Sequence, residues 1–492
     1  MAGNPPDHSP LTFMGSDRVG ARVARPVLRF LHIEAASGIL LIVATLLALV
    51  WANSPLKESY HELWETEIVV EVGDVFSLET HATGEAEGHT DGETTSDETT
   101  SDEASVEVVE AEAGATGHGL TLEEFVNDAL MAIFFFVVGM EIKTELVTGQ
   151  LRDRRAAALP AMAALGGMVV PAALYVGLNV GGAVEGWGIP MATDIAFAVG
   201  VVSLLGDRVP GSLKVFLLTL AIVDDIGAIL VIALFYTEQV SLGWLGLGLA
   251  LLLGMLLMQK LRVWYVPAYV LVGIFVWYAV FKSGVHATIA GVAMGLLTPA
   301  VPLRREPIES EWAEALLGED RLGASSMRRA QFDLRETVSV AERLIESLHP
   351  YTSYLIIPIF ALANAGIELS SDSLEAAASS RVTWGVIVGL VVGKLLGVSL
   401  FTWIATATGL SVLPRGVRFA HIVGIAAVAG IGFTVSLFIT GLAFQDPILQ
   451  DEAKIGILAA SFLAALLGLV LLSRVRAEPA LLEPGLEQSA DF

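Results

Sequence analysis

Two adjacent aspartates, Asp224 and Asp225, lie within the apolar stretch LAIVDDIGAI, residues 220–229. A distant apolar stretch, VVGKLLGVSL, contains Lys394. A charged side chain at the centre of a bilayer costs about 2.5 to 3.5 kcal/mol on insertion scales, so each of these residues calls for a physical reason. Neighbouring residues on a helix point about 100° apart. One aspartate can therefore face a water-filled cavity while the other pairs with Lys394.

Acid exceeds base in these stretches, because Asp194, in ATDIAF, adds a third carboxylate and Lys394 is the one buried lysine. Two interpretations follow. The Asp–Lys pair could simply hold a helix bundle together. Alternatively, the surplus carboxylates bind a small cation such as Na⁺ or Li⁺, for which hard oxygen ligands are suited. Protons would then compete with the metal ion for the same oxygens, which is the chemistry of cation–proton exchange.

Two stretches place small and polar residues where a membrane helix normally has bulky apolar ones: ATDIAFAVG, residues 192–200, and AGIGFTVS, residues 429–436. Such residues mark either tight helix packing or a helix broken at mid-membrane, where the freed backbone groups line a cavity. The two stretches fall at corresponding positions if the third to fifth and the tenth to twelfth spans are inverted repeats. That correspondence favours two discontinuous helices.

The composition indicates an all-α polytopic membrane protein. The chain has 492 residues, 54% of them hydrophobic and only 16% charged, with a mean hydropathy of +0.67. Apolar runs long enough to cross about 30 Å of hydrocarbon recur along one membrane domain, residues 35–475. We predict about twelve spans: 35–53, 123–146, 156–180, 189–205, 211–237, 240–258, 264–281, 284–299, 350–369, 383–408, 419–443 and 453–473.

The distribution of Lys and Arg predicts which side each loop faces. With twelve spans and a cytoplasmic N-terminus, 23 of the 28 basic residues fall on the inner side and 4 on the outer side, and the remaining one is Lys394. Positive charge collects on the cytoplasmic side of membrane proteins. We therefore expect a plasma-membrane protein with a cytoplasmic N-terminal segment, residues 1–34, and a cytoplasmic tail, residues 476–492. No small-residue cleavage site follows the first span, which favours an uncleaved helix over a signal peptide.

Two polar segments interrupt the membrane domain. Residues 65–118 hold 16 Asp and Glu and no Lys or Arg, and so supply most of the net charge of −25. This composition is typical of a solvated extracytoplasmic loop, with a cation-concentrating role or an adaptation to a salty or acidic exterior as alternatives. Within it, EIVVEV could form a short strand. Residues 300–349 form a cytoplasmic loop for which an amphipathic interfacial helix is predicted.

Several enzymatic functions lack their sequence signatures. The chain shows no phosphate-cradling Gly loop, no HExxH motif and no nucleophile elbow, so neither a driving ATPase nor a hydrolase is indicated. It contains no cysteine, which excludes disulfides and thiolate metal sites. We expect a transporter without a cofactor, whose partners are small cations and membrane lipid, with no nucleic acid.

Seven motifs, in order, resemble the NhaA-type sodium/proton antiporter family of bacteria and archaea. They cover the chain from about residue 30 to residue 475. The matching stretches are NDALMAIFFFVVGMEIKTEL, GWGIPMATDIAFAVGVVSLLG, LAIVDDIGAILVIALFYT, FKSGVHATIAGV, HPYTSYLIIPIFALANAG, GKLLGVSLF and GIGFTVSLFI.

The resemblance implies roles for the buried charges. Asp225 looks like the carboxylate that binds transported Na⁺ or Li⁺, and Asp224 like the partner of Lys394 that gains or loses a proton as the ion exchanges. Asp194 and Thr193 resemble residues at the crossing of the two broken helices, where Asp194 and Lys394 offset the helix dipoles. Thr193 is also an expected contributor to the ion site.

The same resemblance implies a pH-regulated exchange of cytoplasmic Na⁺ for external H⁺ by alternating access, serving sodium and pH homeostasis. An intact aspartate pair favours two protons per sodium, which makes the exchange electrogenic. Asp128 resembles a cavity acid, and Glu141 falls near the funnel where the family senses pH. His286 fits its motif either as a proton carrier or as a packed hydrogen-bonding group.

The chain departs from the family pattern at two places. Leu395 stands where a proline is expected, which would alter the bend of the lysine-bearing helix. The acidic segment occupies the loop where the family has a short β-hairpin used in dimer contact, so a homodimer through that hairpin is placed in question.

Three other functions were weighed. A sodium-coupled symporter would need further groups at mid-depth to hold an organic solute. A retinal protein would have about seven spans and a Trp-lined pocket around its lysine. A membrane pH sensor that no longer transports is a third alternative, against which the intact Asp224, Asp225 and Lys394 argue.

Overall fold

The computed structural model describes residues 36–68, 71–72, 76–77, 79–80, 118–237, 240–261, 263, 265–302 and 337–475. Helices dominate these residues. Their bounds are α1 Ala36–Ala52, α2 Lys57–Glu65, α3 Leu122–Val147, α4 Arg154–Leu178, a 3-10 helix Val184–Met191, α5 Ile195–Ser203, α6 Gly211–Phe235, α7 Leu242–Lys260, α8 Val266–Lys282, α9 Thr288–Leu297, α10 340–364, α11 Ser371–Ser379, α12 Arg381–Ala407, α13 Phe419–Val428, α14 Phe433–Ala443 and α15 Pro447–Arg474.

Short polar side chains begin several of these helices. Asp153 accepts a hydrogen bond from the backbone N–H of Arg155 and so caps α4. Asp446 does the same for α15, where Pro447 occupies the first turn. Such caps satisfy N–H groups that have no partner within the helix. The polar connections of the sequence therefore fix where the apolar runs begin as helices.

Each of the twelve predicted spans overlaps a helical segment. Seven helices among the described residues are long and apolar enough to cross a membrane, or nine if two bent pairs are each counted as one span. Of the other three predicted spans, α8 and α9 are shorter helices, and α10 is a longer helix outside this set. With ten residues, α9 is about 15 Å long, so it reaches only part of the way across the hydrocarbon.

The fourth and eleventh spans are discontinuous, as the sequence predicts. In the fourth, extended residues 192–194 separate the 3-10 helix from α5. In the eleventh, α13 and α14 are bent by 49° at residues 429–432. The inverted-repeat relationship between the two halves stays a prediction.

Short paired strands lie at the two ends of the acidic segment. Strands β1 (Glu67–Ile68) and β4 (Glu79–Thr80) pair antiparallel with β5 (His118–Thr121), and β2 (Glu71–Val72) pairs with β3 (Phe76–Ser77). The sequence indicated a strand only at residues 67–72 and missed helices α2 and α11. Residues 81–117 lie outside the described part of the chain.

The ninth span begins and ends earlier than predicted. Ser339 caps α10, which starts at Val340, contains a π-helical turn at Thr352–Ile356 and ends at Asn364. The helix therefore includes the end of the predicted amphipathic stretch. The rest of that stretch, residues 303–336, lies outside the described residues, as do the predicted terminal segments 1–34 and 476–492.

Glycines bring α3 and α9 into close contact. Gly291 and Gly295 are spaced four apart on α9 and pack against the backbone of α3 near Ala132 and Phe136, while Gly139 of α3 packs on Val292. A Cβ at Gly139 would lie 2.7 Å from the carbonyl oxygen of Val292. Small residues at this spacing let membrane helices approach closely. This contact fixes the helix that carries Glu141.

We predict that Gly291→Leu prevents stable packing of α9 on α3, because its side chain would overlap the α3 backbone. Overpacking typically costs about 1 to 3 kcal/mol and more where the backbone cannot move. The measurement is the thermal midpoint and the monodisperse yield in detergent. Gly254→Leu on α7 is the matched control, since nothing lies within 4 Å of a Cβ at Gly254. Equal stability of the two variants would contradict this assignment.

Candidate functional site

Backbone and side-chain hydrogen bonds join the two broken spans at their breaks. The backbone N–H of Asp194 donates to the carbonyl of Ile431 at 2.7 Å. Thr193 Oγ1 donates to the carbonyl of Ala429 at 2.9 Å. These bonds satisfy groups that an unbroken helix would have paired, which the membrane interior requires. The breaks of the two spans are therefore in direct contact with each other.

Asp194 caps two helices with one carboxylate. Its Oδ1 accepts from the backbone N–H of Phe197 at 2.9 Å, in the first turn of α5. Its Oδ2 accepts from the backbone N–H and the Oγ1 of Thr434, at 3.0 and 2.7 Å, in the first turn of α14. Negative charge is favourable at a helix N-terminus. A single buried acid therefore faces the positive ends of both half-helices.

Lys394 is fully buried and bonds to two of the predicted site residues. Its Nζ donates to Asp224 Oδ2 at 2.5 Å and to Thr193 Oγ1 at 3.0 Å. Asp224 lies on α6 and Thr193 at the crossing, so the lysine connects three spans. The second oxygen of Asp224, Oδ1, is buried and accepts no hydrogen bond from the described residues.

A π-helical turn, Val388–Gly393, comes directly before Lys394 in α12. Gly389 of this turn packs on Pro190, and Gly393 packs on Pro171. π-helical turns occur often at functional sites and displace the residues that follow them around the helix. The lysine-bearing helix is therefore irregular at this point although Leu395 stands in place of the expected proline.

Asp225 points away from the ion pair into a cavity. Asp225 directly follows Asp224 on α6, so helix geometry points the two side chains in different directions. The Asp225 side chain is buried. The cavity is lined by Phe134, Val137, Val138, Glu141, Thr193, Asp194, Ile195, Ala196, Asp225, His349, Thr352, Ser353, Ile357, Thr434 and Val435. Four predicted site residues therefore line this one cavity: Glu141, Thr193, Asp194 and Asp225.

His349 is not among the site residues predicted from the sequence, although it lies inside the motif HPYTSYLIIPIFALANAG. His349 Nε2 lies 4.0 Å from Glu141 Oε1 at the cavity wall, and its Nδ1 lies 3.5 Å from Ser353 Oγ. The signal that could have found it is the spacing of His349, Thr352 and Ser353 on one face of a helix, which places three polar groups together in an apolar span.

The structure separates the other two predicted residues from the cavity. His286 Nε2 lies 2.5 Å from the backbone carbonyl of Tyr236, beyond the end of α6. Asp128 lies in a π-helical turn of α3, Val126–Leu130, and its backbone carbonyl accepts from Trp277 Nε1 at 3.2 Å. Neither lines the cavity around Asp225.

We predict that Thr434→Val destabilises the crossing, because Asp194 Oδ2 then loses the hydrogen bond from the Thr434 hydroxyl. Hydrogen bonds to charged groups are worth about 1.5 to 3 kcal/mol. The check is thermal unfolding of the purified protein in detergent, where Thr434→Val should lower the midpoint and Thr434→Ser should largely retain it. Equal midpoints for the two variants would argue against the double cap.

Buried carboxylates, a buried lysine and two half-helices meeting at mid-membrane define a secondary transporter for small ions, in which broken helices build the binding site. The comparison with known proteins gives the family. The profile of the family described as Na⁺/H⁺ antiporter 1 matches residues 28–84 and 98–472, and the chain belongs to this family. The unmatched residues 85–97 fall inside the acidic segment.

Named relatives agree with this membership. The Na(+)/H(+) antiporter NhaA 3 of Frankia alni is 43% identical over 452 residues, which are 92% of this chain and 89% of that protein. The Na(+)/H(+) antiporter NhaA of Oleidesulfovibrio alaskensis is 44% identical, with 92% and 94% covered. The protein of the same name from Rhodopirellula baltica is 42% identical, with 92% and 94% covered. The chain is thus a transporter and not an enzyme.

Proposed function

We propose that this protein exchanges cytoplasmic Na⁺ or Li⁺ for external H⁺, with Asp225 as the main cation ligand and Asp224 and Thr193 as further ligands. The observation that carries the proposal is the geometry of the pair: Asp224 binds Lys394 while Asp225 faces the cavity. The described residues contain no cluster of three or more His, Asp or Glu suited to a resident metal ion. A site with few oxygen ligands suits a transported cation, because the cation must also be able to leave the site.

The ion pair supplies the proton coupling in this proposal. Lys394 holds both Asp224 Oδ2 and Thr193 Oγ1. When the cation enters, Lys394 releases these oxygens, and they become available as ligands. When the cation leaves, protons and the ammonium group of Lys394 again compensate the negative charges of Asp224 and Asp225. Two protons then exchange for one sodium, so each cycle moves net charge and responds to the membrane potential.

The first test is exchange by purified protein in liposomes with a pH dye and an acid load inside. Addition of Na⁺ or Li⁺ outside should cause cation-dependent alkalinisation of the lumen. Asp225→Asn should reduce the rate to background, because it removes the charge that binds the cation. Asp372→Asn, which changes an exposed aspartate of α11, is the matched control and should leave exchange unchanged. Full activity of folded Asp225→Asn would refute the assignment.

A second test separates the roles of the two carboxylates. Asp224→Asn should weaken the dependence of exchange on an imposed potential, because Lys394 loses the partner with which it trades charge. Loss of one member of a buried pair typically costs about 3 to 5 kcal/mol. Thermal unfolding therefore accompanies the transport assay. A folded Asp224→Asn protein whose exchange responds to potential as the parent does would contradict this coupling.

We assign the pH response to Glu141 together with His349, which face each other across the cavity wall. Asp225 and Asp194 are the other charged groups that line this cavity. A negative charge at Glu141 favours retention of protons at the ion site by simple electrostatic attraction, and a protonated His349 opposes it. The cytoplasmic pH thereby sets how readily Na⁺ displaces protons.

Glu141→Gln should move the half-maximal rate of exchange to lower pH, because protons are displaced more easily once the negative charge is gone. For a charge about 10 Å from the ion site and an effective dielectric constant of about 20, Coulomb's law gives a shift of about one pH unit in the profile. The measurement is the pH profile of Na⁺-driven exchange.

Glu368→Gln is the charge-matched control for that profile. Glu368 lies at the molecular surface, where the hydrogen bond from Lys57 lowers the pKa of its carboxyl. It does not line the cavity, so its loss should leave the profile in place. A shift of equal size in both variants would indicate a general surface-charge effect.

We further propose a plasma-membrane location with both termini in the cytoplasm. The support is the excess of Lys and Arg on one side of the twelve spans. On this orientation Glu141 and His349 lie in the cytoplasmic half, while α2, α11 and the paired strands lie outside. A homodimer through those strands stays an open prediction, since their pairing retains the element the family uses for contact.

A further inference from the structure

The polar cavity around Asp225 ends at Phe134 on α3 and at Ile357 on α10. In the direction away from Glu141, apolar side chains fill the space between the helices. Met131, Phe135, Phe360 and Phe438 are all nearly inaccessible there. The rings of Phe135 and Phe360 flank that of Phe438, at centroid distances of 5.5 and 6.4 Å. This apolar layer closes the outer side of the ion site.

Two asparagines lie directly beyond this apolar layer. Asn364 Nδ2 donates to Asn127 Oδ1 at 2.8 Å, and Asn127 Nδ2 donates to Asn364 Oδ1 at 3.3 Å. Seven residues separate Asn127 from Phe134 and Asn364 from Ile357, so both amides lie about 10 Å past the end of the cavity. Because α3 and α10 run in opposite directions, the two amides meet on the same side.

The amide pair lies at an irregular point of each helix. Asn127 lies in the π-helical turn Val126–Leu130, and such turns are frequent at functional sites. Asn364 is the last residue of α10, whose final carbonyls, of Leu362 and Ala363, lie 2.8 and 2.9 Å from Tyr60 Oη of the outer helix α2. Neutral amide bonds are worth only about 0.5 to 1.5 kcal/mol net, so water can replace them.

We infer that the Asn127–Asn364 amide pair is the latch of the external gate, and that it must open for Asp225 to reach the outer solution. The inference rests on the proposed exchange, because a site that serves one side needs no second gate. The latch holds the protein in its cytoplasm-facing state. The underlying apolar layer excludes water while the latch is closed.

The test uses the variant N127C/N364C, in which these are the only two thiols because the chain has no cysteine. A short bis-methanethiosulfonate reagent links the two positions through disulfides that dithiothreitol reverses. Linked protein, verified by mass, should lose at least nine-tenths of its Na⁺-driven exchange, and reduction should restore it. The single variants N127C and N364C receive the same reagent as controls and should keep their exchange.

Each other outcome has a definite meaning. Undiminished exchange by fully linked protein overturns the gate, as does failure of two individually reactive thiols to become linked. Absence of exchange in both the parent and the reduced variant counts instead against the proposed function.

Asn364→Ala provides a second variant in case the cysteine pair does not fold. Loss of the latch should favour the outward-facing state by at least about fivefold, the value of one of its two hydrogen bonds. The Na⁺ concentration that gives half-maximal exchange is measured once with Na⁺ outside and once with Na⁺ inside. The ratio of the external to the internal value should fall by that factor. An unchanged ratio overturns the inference.

Discussion

The structure depends on burying charge at the centre of a membrane without water. Lys394, fully inaccessible, is held by Asp224 and Thr193, and this contact connects α12, α6 and the crossing of the broken spans. A buried pair is strongly destabilised when one partner is removed. The other oxygen of Asp224, Oδ1, is buried and has no hydrogen-bond donor among the described residues. The pair therefore stabilises the bundle while one carboxylate oxygen stays unsatisfied.

The crossing solves a second problem of the membrane interior, the pairing of free backbone groups. Asp194 provides both oxygens as caps, one to α5 and one to α14. Its carboxylate thereby accepts hydrogen bonds from donors of both half-helices, while Lys394 bonds to Asp224. Asp194 and Asp224 thus have different partners, and Asp225 faces the cavity.

The surroundings of Asp225 differ on its two sides. Polar groups, among them Glu141 and His349, line the path on one side of Asp225. On the other side phenyl rings and the Asn127–Asn364 pair close the space between α3 and α10. The close glycine contact of α9 with α3 keeps one wall of this path in place, whereas π-helical turns interrupt α3, α10 and α12 near their polar residues. The helices around the cavity therefore combine closely packed segments with irregular π-helical turns.

The sequence by itself determined the helical class, the order of the apolar segments and the identity of the buried charges. Apolar length and charge cost are local properties, so Asp224, Asp225 and Lys394 could be singled out, and the Thr and Gly content predicted the breaks at residues 192–194 and 429–432. Only the tertiary structure decided which groups meet. It placed His349 beside Glu141, removed His286 from the cavity and paired Asn127 with Asn364, because such contacts join residues tens to hundreds of positions apart and depend on packing that no local pattern encodes.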